Sequence, residues 1–238
     1  MSLKKIFFKT EITYKIYLYY NLYIRHRCFL SRKQYSQWGE DQYIKKIFKD
    51  IKKGVYLDIG CFHPYMYSNT CLLHKKGWTG INIDINQTSI DLFNIARPKD
   101  KNLCTTIDEN KKEFTMYYDD PFSPVNTLDK NFYESLKGSF FKSKKILSVQ
   151  SKTIKEIIEI SKIENKIDFI NIDVEGLDYD ILKQIDLKKL KVKLVSIETH
   201  NVDGSASKNV DLISHFLEKN NFSIYKRIGP STLFYLNY

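Results

Sequence analysis

Four short apolar runs, each closing on an acid, constrain this chain more than any other feature. Residues 55–59 carry Asp58, residues 81–84 end in Asp84, residues 167–173 end in Asp173 and residues 194–198 end in Glu198. Runs of this length suit strands buried on both faces. Helical periodicity fills the gaps: residues 39–51 place Tyr43, Ile44, Ile47, Phe48 and Ile51 on one face. Further helices are predicted over 69–76, 89–96, 153–161, 179–185 and 209–219, with Gly54, Gly77 and Pro98 as punctuation. Strands alternating with helices predict a doubly wound α/β fold around a mostly parallel sheet. Residues 103–107 and 114–118 add extended runs. Residues 222–226 and 232–236, joined through Gly229 and Pro230, predict a closing antiparallel hairpin. Residues 119–145 follow neither period and are the candidate substrate loop.

In open α/β sheets, ligands bind in the crevice beyond the carboxyl ends of the strands. One acid there is commonly a helix cap, whereas four on one rim point to a ligand. The turn Asp58-Ile59-Gly60-Cys61-Phe62-His63 narrows the choice. A dinucleotide site needs G-x-G-x-x-G so that backbone amides can approach a pyrophosphate. Here there is one glycine, bulk at the later positions and a carboxylate that would repel phosphate. S-adenosylmethionine carries an ammonium, a sulfonium and two ribose hydroxyls, which acids on neighbouring strands suit.

Taken together, the motifs are more specific. Ser36-Gln37-Trp38-Gly39-Glu40-Asp41 precedes the first helix, and Leu57-Asp58-Ile59-Gly60-Cys61-Phe62-His63-Pro64 runs into Ser68-Asn69-Thr70. Gly77-Trp78-Thr79-Gly80-Ile81 leads to Asp84, then come Arg97-Pro98 with Asp100, and later Ile167-Asp168-Phe169-Ile170-Asn171-Ile172-Asp173-Val174-Glu175-Gly176. In this order and spacing, over about residues 35–200, the set resembles the FkbM family of methyltransferases. The resemblance implies a Rossmann-like class I methyltransferase fold, S-adenosylmethionine as donor, and O-methylation of a sugar hydroxyl on a glycan or natural product. It also implies that Asp58 and Gly60 line the methionine end and Asp84 takes the ribose hydroxyls. Gln37, Glu40, Asn69 and Thr70 would sit near the cofactor. A typical member has lysine where this chain has Asn171, so no role for that lysine carries over.

A sugar hydroxyl is a weak acid, and methyl transfer to it calls for alignment and for a base within hydrogen-bond reach. The candidates are Asp173, Glu175, Glu198 and His200, at two strand ends. The same oxygen donors could instead hold a divalent cation; metal-free base catalysis is the preferred reading. His63 is expected to shape the turn. The competing assignments are a nucleotide-dependent oxidoreductase, against which the missing glycines count, and a non-catalytic subunit of a glycan-assembly complex.

Charge divides the chain. The net +10 over 238 residues is concentrated in residues 1–33, which hold eight Lys/Arg against the single acid Glu11. The remaining domain, 34–238, is close to balanced, so nucleic acid is not an expected partner. The longest charge-free run of the basic segment, residues 16–24, is far shorter than the roughly 20 residues of a membrane span. Two readings fit this tyrosine-rich segment: a helix packed on the domain, or an interfacial helix docking an anionic membrane or a partner. Four scattered cysteines without metal-ligand spacing suit a reducing cytoplasm.

Overall fold

The computed structural model describes residues 10–25, 30–110, 113–118, 134, 145–163, 166–174 and 176–237. The first half of the chain gives α1 (Glu11–Tyr20), α2 (Glu40–Ile47), β1 (Val55–Ile59), α3 (Cys71–Lys75), β2 (Thr79–Asp84), α4 (Gln87–Ala96), β3 (Lys101–Cys104), β4 (Thr106–Ile107) and β5 (Glu113–Tyr118). The second half gives β6 (Lys145–Lys152), α5 (Ile154–Ser161), β7 (Phe169–Ile172), α6 (Asp178–Leu182), β8 (Leu194–Glu198), α7 (Val210–Lys219), β9 (Phe222–Ile228) and β10 (Ser231–Leu236).

Seven strands form the main sheet in the order β3-β2-β1-β7-β8-β10-β9. All neighbours are parallel except β10, which runs antiparallel to β8 and β9. The chain winds outward from β1 to β3, then returns to the other side of β1, so a switch point opens between β1 and β7. This is the Rossmann-like, mostly parallel sheet with a terminal hairpin that the sequence predicts. Central strands explain their own composition: Phe-Ile-Asn-Ile of β7 is buried at every position.

One face of the sheet buries Leu57, Ile59, Ile172 and Ile197 against Ile157, Leu182 and Leu217 of α5, α6 and α7. The other buries Tyr56, Phe169 and Leu194 against Ile44 and Leu73 of α2 and α3, with Phe48 and Trp78. Local signals set the helix starts. Thr153 and Glu156 form a reciprocal cap on α5, and the Asn86 side chain accepts the Thr88 amide at the start of α4.

Some boundaries differ from the sequence reading. The helix expected over 39–51 ends at Ile47, and the one expected over 69–76 is confined to Cys71–Lys75. The single strand expected over 103–107 is two: Thr105 donates its amide to the Asp84 carbonyl (3.0 Å) and its hydroxyl to the Gln150 carbonyl (2.6 Å). There the chain leaves the main sheet and enters a second, of order β4-β6-β5. Most of the loop at 119–145 lies outside the described residues.

The basic N-terminal segment is helical where described. After α1 it continues as a π-helical turn, Asn21–Arg25, and packs Leu18 and Leu22 on Leu92 of α4. The Tyr14 hydroxyl donates to Asp91 (2.6 Å). No helix among the described residues is long and apolar enough to cross a membrane.

Candidate active site

Strand register turns one face of the sheet from apolar to polar toward its carboxyl end. Tyr56, Phe169 and Leu194 form one cross-strand row. Two residues on, Asn82, Asp58, Asn171 and Ser196 form the next, all buried. Two further on, the period of a strand brings Asp84, Gly60, Asp173 and Glu198 to the rim, where Ser231 of β10 pairs with Glu198. The four strand-end acids therefore share one face. At about 4.8 Å per strand, Asp84 and Glu198 are separated by about 14 Å across the rim.

The turn after β1 is tightly determined. Gly60 has φ +79, and a Cβ there would lie 1.7 Å from the Asp173 carbonyl oxygen, so no side chain fits. Phe62 also has positive φ (48°), and its amide donates to Asp84 Oδ2 at 2.9 Å. The Asn86 amide donates to Asp84 Oδ1 at 2.8 Å. Asp84 thus ties the turn after β1 to the start of α4. Burial pushes its carboxyl up to about 6, against the amide hydrogen bonds that favour the charged form. Beside it lies a cavity of about 450 Å³ lined by Ile85, Asn86, Thr88, Cys104, Met116 and Gln150, the second sheet forming its far wall.

Asp58 lies beneath the turn. Its Oδ2 accepts from the Thr70 hydroxyl (2.6 Å) and its Oδ1 from Asn171 Nδ2 (2.9 Å), while Asn171 Oδ1 accepts from Asn69 Nδ2 (2.8 Å). Burial raises its pKa; Thr70, Arg97 and Asn171 oppose the rise. Arg97, fully buried, binds the whole loop. It donates to Tyr56 Oη (3.1 Å), Thr70 Oγ1 (2.9 Å), the Pro64 carbonyl (2.5 Å) and Ser68 Oγ (3.1 Å). Tyr56 donates in turn to Asp100. His63 Nδ1 accepts the amides of Tyr65 and Met66 (3.1 and 3.0 Å), which shapes the same loop.

At the other end of the rim, three segments meet. Glu40 accepts the Trp38 amide (3.0 Å) and the Ser231 hydroxyl (3.2 Å). Trp38 covers Gly229 in the terminal hairpin, where a Cβ would come within 2.6 Å of the indole. The amides of Thr199 and His200 both donate to the Pro230 carbonyl (3.0 and 3.2 Å). His200 is buried, its Nδ1 lies 2.8 Å from Thr199 Oγ1, and burial and then Arg227 hold its pKa below the usual value. Asp173 is exposed and Glu198 half-buried. Gln37 is exposed, and Glu175 lies outside the described residues. Among the described residues, no group of three His, Cys, Asp or Glu is placed to hold a metal.

A model of the methyltransferase FkbM domain matches residues 58–224, more than half of the chain. The chain belongs to the FkbM methyltransferase family. The match begins at Asp58 itself and runs through the rim residues Asp84, Asp173 and Glu198 into β9. Membership supports methyltransferase activity. No curated protein matches the chain.

Three residues of this FkbM domain matter more than the sequence suggested. Arg97 was legible as part of a motif, but an arginine ending a helix ordinarily reads as a solvated cation. Asn171, the departure from the usual lysine, couples Asp58 to Asn69. Asp178 accepts the amides of Val174 (3.4 Å) and Gly176 (3.1 Å), pinning the loop that follows β7, and burial lifts its carboxyl to about 6. Its signal was its spacing, two residues beyond the glycine of the motif.

Proposed function

We propose that this FkbM protein is an S-adenosylmethionine-dependent O-methyltransferase acting in the cytoplasm on a sugar hydroxyl of a surface glycan or its nucleotide-linked precursor. The observation that carries this reading is Asp84: a carboxylate at the end of β2, anchored by two amides, beside a 450 Å³ cavity. That arrangement suits two ribose hydroxyls next to a flat base. The single-glycine turn, with Phe62 in its path, suits a pyrophosphate poorly.

In this reading Asp84 holds the ribose and Ile85, Cys104 and Met116 flank the base, while the turn at 60–62 borders the methionine end. Asp58 acts from below, ordering that turn through Thr70 and Asn171. S-adenosylmethionine, when bound, supplies a methyl group on a positively charged sulfur. The chain's own work is alignment at the rim between β1 and β8, and removal of the acceptor's proton. Glu198 and His200 border that end and Asp173 stands on the adjoining loop; Glu175, two residues on in sequence, stays a candidate base. His200 brings an imidazole to that end, its pKa held below the usual value by burial and then by Arg227. A polar end framed by Glu40, Asp173, Glu198 and Ser231 suits a polyhydroxylated acceptor; the family resemblance adds the sugar.

Losing a charge-assisted hydrogen bond costs roughly 1.5–3 kcal/mol, so Asp84→Ala should weaken S-adenosylmethionine binding at least about tenfold with the fold intact. Because burial raises the Asp84 carboxyl to about 6, its charged, ribose-accepting form dominates above that pH. Affinity in the native protein should therefore fall as pH drops through about 6, and Asp84→Asn should flatten that dependence. Binding isotherms of the folded variants across this pH range check both outcomes; unchanged affinity in Asp84→Ala would sink the ribose assignment.

A further inference from the structure

The helix that packs on α4 uses only half of its surface. Tyr17, Leu18 and Leu22 face inward and are buried. The opposite side carries Ile12, Ile16, Tyr19, Tyr20 and Ile24, which are 72%, 54%, 52%, 43% and 63% exposed. Their spacing of three to four residues makes one continuous apolar stripe along α1 and its π-helical extension. Tyr19 and Tyr23 stack along it with ring centroids 5.9 Å apart. A contiguous exposed apolar face of this kind marks an interaction surface. The sequence around it, residues 1–33, has eight Lys/Arg and one acid.

We propose that this outward face docks on an anionic lipid bilayer. Apolar and tyrosine side chains on one helix face, amid lysines and arginines, are what an interfacial helix uses to enter the headgroup region. Charge selects the bilayer over the other occupants. A second copy meeting this face about a two-fold axis would bring two strongly basic segments together, which is repulsive. A nucleic acid would leave the isoleucines without apolar partners. The inward and outward readings of the segment are compatible, because different faces serve them. The proposal rests on the N-terminal segment alone and is independent of the methyl-transfer reading.

The test is flotation of the full chain with vesicles of phosphatidylcholine mixed with phosphatidylglycerol, against vesicles of phosphatidylcholine alone. The native protein should float with the anionic vesicles, and added salt should weaken the association. The triple variant Ile12→Ser/Ile16→Ser/Ile24→Ser leaves Leu18 and Leu22 in place and should stay in the soluble fraction with unchanged thermal unfolding. Lys15→Ala, an exposed single change, should reduce partitioning about fivefold, the share of one basic side chain near an anionic surface. Absence of flotation by the native protein, equal flotation on neutral vesicles, or a salt-insensitive association overturns the proposal. So does a dimer in solution that the triple variant dissociates, which would make the stripe a contact between copies.

Discussion

Replacing Arg97 with alanine is expected to cost about 3–5 kcal/mol of stability, the range for breaking a buried charged network by removing one partner. The guanidinium is fully buried and donates to four oxygens on the loop after β1 and on β1 itself. Burial works against its charge, but Tyr56, Cys71, Asp58 and Asp100 around it outweigh that, and its pKa is raised. The cation also sits 4.8 Å from the Phe93 ring centroid. Without it, Thr70 and Tyr56 lose a donor, and Asp58 and Asp100 keep their burial but lose the charge that offsets it. Arg97→Lys should recover only part of the loss, because one ammonium cannot span acceptors arranged for a planar fork. Urea unfolding should show a lower midpoint at an unchanged slope. A loss below about 1 kcal/mol would mean that the loop is held by its backbone contacts and not by this network.

A second large effect is expected in turnover. If Glu175, Glu198 or His200 removes the acceptor proton, its change to glutamine should lower kcat by roughly 10²–10⁴-fold while cofactor affinity stays near that of the native protein. A base acts in the transition state, whereas a cofactor ligand mainly changes binding. The readout is release of S-adenosylhomocysteine in the presence of nucleotide-linked sugars, repeated with EDTA. Activity that survives EDTA and collapses in one of the three variants supports metal-free base catalysis. Activity abolished by EDTA and restored by Mg²⁺ makes these residues cation ligands. Near-native turnover in all three variants moves the base elsewhere, with the segment at 119–145 next in line. Cofactor binding without any turnover would favour the non-catalytic subunit.

The strands were legible where their side chains are buried on both faces: the apolar runs ending at Asp58, Asp84 and Glu198 leave little choice of structure. β6 was not, because Lys145-Ile146-Leu147-Ser148-Val149-Gln150-Ser151-Lys152 has no clean alternation and its partners on β4 and β5 are distant in sequence, the nearest pair being Tyr118 with Lys145. The break at Thr105 was hidden for the same reason, since the Gln150 carbonyl that receives its hydroxyl belongs to β6. In the site, the acids could be read as strand ends. Their common face could not, because it depends on the register of β1 against β2 and β7. The family resemblance put Asp58 at the methionine end, and the bonds of its oxygens to Thr70 and Asn171 could not be read from spacing. Which segments each carboxylate orders, Thr70 and Asn171 for Asp58 and the amides of Phe62 and Asn86 for Asp84, follows from three-dimensional packing.

On the reading proposed above, the rim between β2 and β8 takes S-adenosylmethionine and not a dinucleotide. Calorimetric titration of the full chain with S-adenosylmethionine and, separately, with NAD tests it most directly. Saturable binding of S-adenosylmethionine and none of NAD is expected. Saturable NAD binding with no heat from S-adenosylmethionine would contradict it and return the fold to the oxidoreductase reading.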